Sequence, residues 1–481
     1  MTTRYETYAD DIRQQIAAGL LRTGDRLPSV RQACAARGIS PATVFGAYYL
    51  LEAEGLVEAR PRSGYYVARP RRPARPEPQA AAPNADLLDV DVSRLVQQVL
   101  GQARRPEIVP FGSAFPSPAL FPLDRLVQST TRALRRLQPA HTVEHLAPGS
   151  AALRRQIALR YLAGGTGVQA DEIVVCNGAM EALNLCLEAV TEPGDLVAIE
   201  SPTFYGALQA LERRGLRAIE VSTHPRTGVD VAALARVLDA HPVKACWFMP
   251  NFQNPLGCLM PDEHKQALVA LLAARGIPLI EDDVYAELYF GRQRPRPAKA
   301  WDDAGLVMHC SSFSKCLAPG WRVGWVAGGR FAPAIARRKL SLSLGTSLPA
   351  EEGLADYLAG GSYERHLRRL RESLCQAQTR ALRLVCRHFP RGTRITRPTG
   401  GYFLWVEMPA AVDALQLHRL ALEHGIGIAP GQLFSADARH THCLRLNYGH
   451  PQETPEHAIR QLGELACRLY QAAAPAAKPR A

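Results

Sequence analysis

Apolar residues recur at helical spacing over residues 5–20. A second helix is predicted to open at 27–31, where LPSVR puts Pro and Ser at positions that suit a helix start. Gly38, Ile39 and Ser40 then form a turn, and Ser40 can cap a third helix over 41–54. Residues 55–67, GLVEARPRSGYYV, alternate as strand, turn and strand. Two short helices around a Gly-containing turn, followed by a hairpin, predict a winged helix-turn-helix over 1–67.

The pattern then changes twice. Residues 68–86 are rich in Pro and Arg. Pro at that density blocks helix and sheet and favours an extended, semi-rigid linker. From 87 to 470 short apolar runs alternate with helical stretches. The runs are 173–176, 196–199, 218–221, 245–249, 278–280, 307–310 and 323–327, with helices expected at 180–189 and 264–274. That rhythm predicts an α/β body with a mostly parallel sheet covered on both faces. Beyond about 350 long amphipathic helices dominate, with strands at 403–407 and 444–447, so a smaller α+β lobe is expected over 350–470. Residues 471–481 read as a tail. No internal repeat is evident.

Composition narrows the class. A chain of 481 residues suits two or three domains. No run of eighteen apolar residues and no apolar stretch after a basic start point to a membrane span or a leader, so a cytoplasmic protein is expected. Eleven Cys without C-x-x-C spacing read as reduced thiols and point away from zinc; no metal ligand set is proposed. Cys316 is the thiol worth testing for reactivity, with packing as its ordinary role. Net charge is +12, and residues 1–75 carry twelve Arg and seven acids, a net of +5, which is compatible with nucleic acid.

The chemistry concentrates in SSFSKCLAPGWRVGW at 311–325. A Lys at 315, hydroxyls at 312 and 314 and an Arg at 322 are what a Schiff-base site for pyridoxal 5'-phosphate needs. The cofactor also demands a phosphate cradle, a partner for its ring nitrogen, a donor to its 3-oxygen and a flat face. Backbone N–H groups of Ala179 and Met180, opening a helix after the 173–176 strand, suit a phosphate. Asp282, at the end of the 278–280 strand, can keep the ring nitrogen protonated, whereas Asp283 reads as a solvated strand end. Arg322 offers a planar fork to phosphate oxygens. Arg445 lies inside an apolar strand and therefore needs a partner.

Taken in chain order, these pieces resemble fold-type I aminotransferases. The resemblance implies that Phe204, or else Tyr205, stacks on the ring, that Asn254 of the Asn-Pro-x-Gly turn and Tyr285 bond the 3-oxygen, and that Arg445 grips a substrate carboxylate. The run PTGGYF at 398–403 also matches that family. One departure is the loop 141–149, which lacks the family's Tyr; Glu144 and His145 stand there, and His145 is the candidate to replace it. The segments GDRLPSVRQ and TVFGAYYLLEAEGLVEARPRSGYYV resemble the winged-helix heads of GntR-type regulators. That resemblance places Arg31, Ser40, Thr43, Arg60, Arg62 and Gly64 at DNA-facing positions. Pro41 and Phe45 stand where many such heads carry Arg.

Head, linker and body together resemble the MocR subfamily of GntR regulators. The resemblance implies a homodimer that binds operator DNA, with Lys315 forming an internal aldimine that an amino acid or amine displaces. Two further readings stay open. One is a working aminotransferase with an accessory head, Lys315 acting as base and Asp282 at the ring nitrogen. The other is a regulator that senses pyridoxal phosphate itself.

Overall fold

The computed structural model describes residues 4–53, 56–60, 63–68, 75–83, 87–90, 92–102, 107–437, 439–450 and 456–473. The chain divides into two compact units, Met1–Arg75 and Pro76–Ala481.

In the first unit, helices α1 (Arg4–Ala17), α2 (Val30–Arg37) and α3 (Pro41–Ala53) precede the antiparallel pair β1 (Val57–Arg60) and β2 (Gly64–Val67). Helix α1 stops short of residue 20, and Gly19 adopts a left-handed φ of 73° just beyond it. The Ser29 hydroxyl and the Gln32 side chain close a capping box at the start of α2, and left-handed Gly38 ends it. Ser40 accepts from the Thr43 N–H at 3.2 Å, as its cap role requires. Tyr8, Ile12, Leu27, Val44, Tyr48, Leu51, Val57 and Val67 form a separate core. The Tyr48 hydroxyl donates to the Pro28 carbonyl at 2.6 Å, which fixes the rotation of α3.

The second unit is built on a nine-stranded sheet among the described residues. Its main strands are β3 (Leu88–Asp89), β4 (Ile173–Cys176), β5 (Leu196–Ser201), β6 (Arg217–His224), β7 (Val243–Phe248), β8 (Leu279–Asp282), β9 (Val307–Ser312) and β10 (Gly324–Ala327). They run in the order β3-β6-β5-β7-β8-β9-β10-β4. β5 to β9 pair in parallel, β10 is antiparallel to both β9 and β4, and so β4 points the same way as the parallel strands. β4, β5, β8 and β9 are buried along their whole length, as apolar runs covered on both faces must be. A smaller antiparallel sheet holds β11 (Arg394–Ile395), β12 (Phe403–Glu407), β13 (Ala429–Pro430) and β14 (Cys443–Asn447), in the order β11-β12-β14-β13. The long helix Ser362–His388 packs on this lobe. No described helix is long and apolar enough to cross a membrane.

The stretch expected as a linker is divided. Residues 69–74 and 84–86 lie outside the described residues, but 76–83 belong to the body rather than standing apart from it. The Ile395 N–H donates to the Pro76 carbonyl at 3.1 Å, and the Ser222 hydroxyl donates to the Ala81 carbonyl at 2.7 Å. The Glu77 carboxylate accepts from the Arg397 N–H at 3.1 Å and pairs with the Arg226 guanidinium. Arg226 and Ser222 belong to the large lobe, Ile395 and Arg397 to the small one. A Pro-rich chain with few N–H groups of its own can lie this way because the body supplies the donors.

Candidate functional site

The carboxyl ends of the parallel strands share one edge of the sheet, which is where open α/β sheets bind ligands. β4 leads to Asn177–Met180, β5 to Phe204, β7 to Asn254, β8 to Tyr285 and β9 to Lys315. The antiparallel β10 starts at the same edge, which puts Arg322 there too.

Gly178, with φ 84°, is the N-cap of the helix Ala179–Val190, so the Ala179 and Met180 N–H groups stand at its open end. A Cβ on Gly178 would lie 2.4 Å from Arg322 Nη2, and one on Gly324 would lie 2.7 Å from the Ala179 nitrogen. Arg322 adopts a left-handed φ of 54°, uncommon for a residue with a side chain. Its guanidinium donates to the Asn177 carbonyl at 3.0 Å and to the Ser314 hydroxyl at 3.4 Å. Ser312 and Ser314 are buried. Helix end, hydroxyl and guanidinium thus meet in a cradle with no room for larger residues at either Gly.

The Lys315 ammonium donates to the Ala114 carbonyl at 2.9 Å and lies 3.9 Å over the Phe115 ring. Burial, then the Arg445 guanidinium, push the amine down to about 7; Asp282 opposes this and Arg322 adds to it. The Asp282 carboxyl is pushed up to about 7, by burial first and by Asp283 second. Burial raises the Tyr285 phenol further above its ordinary range, and its ring packs edge-on against Tyr402 at 5.5 Å.

Arg445 is wholly buried. Its Nη1 donates to Asn254 Oδ1 at 2.9 Å, and Nη2 donates to the carbonyls of Gly112 at 2.8 Å and Ser113 at 3.2 Å. The guanidinium lies 4.2 Å over the Phe403 ring and 5.9 Å from the Tyr205 ring. Phe204 leads into the helix Tyr205–Arg214, its ring against Gly206 and 4.8 Å from Tyr205. Asp282 Oδ1, Asn254 Nδ2 and Arg445 Nε are buried without a protein partner. Three unpaired polar atoms beside a cradled helix end match the donors and acceptors that pyridoxal phosphate and an amino-acid carboxylate need.

One sequence expectation changes. Asp283 is not a solvated strand end: it is buried, and His309 Nε2 lies 2.9 Å from its Oδ2. His309 Nδ1 meets the Tyr161 hydroxyl at 2.6 Å, which accepts from the Trp325 indole at 2.9 Å. His145 is held by its own chain, 3.1 Å from Glu351 Oε1, and that bond raises its imidazole against the effect of burial. Cys316 is buried and its thiol is pushed up to about 12, by burial first, so it is a packing residue. In the head Arg31 is exposed, and Thr43 joins Ser40 through a 2.9 Å hydroxyl contact. Arg60 pairs with Glu58 at 2.7 Å and stacks on Tyr66 at 4.2 Å. Gly64 has φ 109°, and Arg62 lies outside the described residues.

The contribution of 112–115 escaped the sequence, because its carbonyls carry no side-chain signal. Asn447 Nδ2 also donates to the carbonyls of Ser113 at 2.9 Å and Phe115 at 2.7 Å. The Tyr402 hydroxyl donates to the Ala114 carbonyl at 3.0 Å. The small residues Gly112, Ser113 and Ala114 between two Phe were the available hint. A cleft of about 1190 Å³ is lined by none of the cofactor candidates. Its charged groups largely pair with one another, as Arg160 does with Glu287 and Arg296 with Asp262.

These features define an aminotransferase-type body carried behind a winged-helix head. Residues 4–67 match the family of bacterial regulatory proteins of the gntR type, and residues 121–462 match aminotransferase class I and II. The chain is 47% identical over 468 residues to the uncharacterized HTH-type transcriptional regulator YdcR of Escherichia coli strain K12, covering 96% of this chain and 98% of the relative. It is 32% identical over 373 residues to the 2-aminoadipate transaminase of Thermus thermophilus, covering 76% and 92%. Among solved structures it is similar to LysN, the alpha-aminoadipate aminotransferase of Thermus thermophilus complexed with N-(5'-phosphopyridoxyl)-L-leucine. The TM-score is 0.69 at 28% identity, over 80% of this chain and 99% of that one. The chain belongs to the HTH-type transcriptional regulators of MocR architecture, a GntR head joined to a fold-type I aminotransferase body. GntR regulators bind DNA, and class I and II aminotransferases depend on pyridoxal phosphate.

Proposed function

We propose that this regulator holds pyridoxal phosphate at Lys315 and senses an amino acid or amine that exchanges with that lysine. The observation that carries the reading is the set of unpaired buried atoms on Asp282, Asn254 and Arg445 around one lysine. When bound, the cofactor supplies an aldehyde carbon that amines attack and a ring that draws electrons. The chain's own residues do the rest. Ala179, Met180, Ser312, Ser314 and Arg322 hold the phosphate. Asp282 holds the proton of the ring nitrogen, Asn254 and Tyr285 bond the 3-oxygen, and Phe204 covers a ring face. Burial lowers the Lys315 amine to about 7, so its neutral, nucleophilic form is accessible near neutral pH. Arg445 grips the effector carboxylate in place of the Gly112 and Ser113 carbonyls.

The strap at 76–83 supports transmission to the head, because Glu77 bonds both lobes and the strap is continuous with the chain that leads there. A homodimer is part of this reading. The effector shifts DNA binding only as far as it prefers one lobe arrangement over the other.

The test is an absorbance titration of the full-length protein with pyridoxal phosphate and a panel of amines, with DNA affinity measured alongside. A cofactor band lost in Lys315→Ala and altered by one class of amine supports the reading. A band insensitive to Lys315→Ala refutes it. Replacing Arg60 and Arg62 should flatten the salt dependence of DNA binding by about two phosphate contacts. Similarity to the Thermus transaminase favours a second reading, a catalytically active aminotransferase with an accessory head. Turnover of an amino donor and a keto acid without DNA binding would select it. A change in DNA affinity on adding pyridoxal phosphate alone would select a sensor of the cofactor.

A further inference from the structure

Helix α3 presents an unusual outward face. Val44, Ala47, Tyr48 and Leu51 form its buried stripe. Ala42, Phe45 and Tyr49 form the exposed one. Phe45 is 39% and Tyr49 59% exposed, and their rings stack at 6.1 Å with 22° between planes. The Tyr48–Pro28 hydrogen bond holds the helix so that this pair faces away from the head's core.

In a helix-turn-helix the second helix enters the major groove and its N-terminal half meets base edges. Bases are usually told apart there by forked donors and acceptors on Arg, Asn or Gln. Pro41, Ala42, Phe45 and Gly46 carry no side-chain hydrogen-bonding group. Ser40 and Thr43 are bonded to each other at the helix start. What an apolar face can recognise in the major groove is the 5-methyl group of thymine. The surroundings suit DNA, not a second protein: Arg26, Arg31 and Arg60 are exposed on the same small unit, and GntR heads are DNA binders.

We propose that Phe45, braced by Tyr49, is a specificity-determining residue of this head and reads thymine by its methyl group. Arg26, Arg31 and Arg60 then supply phosphate contacts that carry no sequence information. The inference rests on the DNA-binding reading of the head and is independent of the cofactor site.

The experiment uses the full-length protein and a duplex enriched by it from a random-sequence library. Each thymine is replaced in turn by deoxyuridine, which removes the methyl and leaves every hydrogen-bonding edge intact. One or two positions in each half-site should lose about three- to fivefold in affinity. Phe45→Ala should bind the thymine and deoxyuridine duplexes alike, with an unchanged salt slope, and Phe45→Leu should keep part of the preference. If no deoxyuridine substitution weakens wild-type binding, methyl reading is refuted whatever the variants do. A penalty that persists in Phe45→Ala removes Phe45 from the reader's role. Failure to enrich any duplex overturns DNA binding by the head, and the inference with it.

Discussion

Lys315→Met should stabilise the protein when it is stripped of cofactor. In the pocket the amine falls from its ordinary 10.5 to about 7, through burial first and Arg445 second. At pH 6 the folded and unfolded chains both carry the proton, so folding bears the full cost of placing that charge. The difference between 10.5 and about 7 corresponds to ~5 kcal/mol. Met removes it and forfeits the hydrogen bond to Ala114, worth ~1 kcal/mol, and the contact with the Phe115 ring, worth about as much. The Ala114 carbonyl keeps the Tyr402 hydroxyl, so no acceptor is orphaned. The net gain is ~3 kcal/mol at pH 6. Between about 7 and 10.5 the folded amine is neutral while the unfolded one stays charged. The penalty therefore shrinks by ~1.4 kcal/mol per pH unit, and, since the neutral amine has no cation contact with the Phe115 ring to forfeit, the advantage of Met is gone by about pH 10. Urea unfolding of both proteins at pH 6, 8 and 9, followed by circular dichroism, measures this. With excess pyridoxal phosphate the order should reverse, because the ligand stabilises only the chain that captures it. A variant less stable than wild type at pH 6, or an advantage that does not vary with pH, would refute the reasoning.

Arg445→Lys should keep cofactor binding and lose the response to amino acids with a carboxylate while retaining that to simple amines; the amine panel read by absorbance checks it. Its fold should be weakened by ~1–3 kcal/mol, since Lys cannot serve Asn254 and two carbonyls as the fork does. Asp282→Asn should weaken pyridoxal phosphate binding on the order of 30-fold by removing the carboxylate that the proposed site sets against the ring nitrogen, as an equilibrium titration would report. Glu77→Ala should raise hydrogen exchange at the Arg397 amide about tenfold and reduce the effect of amines on DNA affinity without altering the cofactor spectrum; unchanged exchange would remove the pin. A thiol reagent at pH 8 should label exposed Cys375 first and reach buried Cys316 only in denaturant, as peptide mass mapping would show.

Local chemistry was legible in the sequence, and partnership at a distance was not. Ser29, Gly38 and Ser40 mark the helix ends of the head because capping acts within three residues. The apolar runs at 173–176 and 307–310 mark strands because burial on both faces leaves a continuous pattern. The same runs carry no direction, so nothing in 323–327 said that β10 turns antiparallel and brings Arg322 to the edge where Lys315 waits. Asp283 looked like a solvated acid because its partner, His309, is a strand away. Residues 76–83 looked like a free linker because Pro-rich composition reports what the segment cannot form alone, and the donors that hold it lie on Ile395, Arg397 and Ser222.

Among the contacts that join the lobes of the body, two bear on the proposed transmission, and they have different owners. One lies inside the site: Lys315 and Arg445 donate to the carbonyls of 112–114, and Gly112 in turn donates to the Gly427 carbonyl at 2.8 Å. The other is the strap, where Glu77 takes a small-lobe N–H and a large-lobe guanidinium at once. An effector carboxylate that claims Arg445 must break part of the first tie, and any lobe displacement that follows loads the second. The energies are of the right size. A tenfold change in DNA affinity needs ~1.4 kcal/mol of coupling, and one hydrogen bond to a charged group contributes ~1.5–3 kcal/mol. On the proposed reading, the Glu77–Arg397 bond is of the size that a tenfold change in DNA affinity requires.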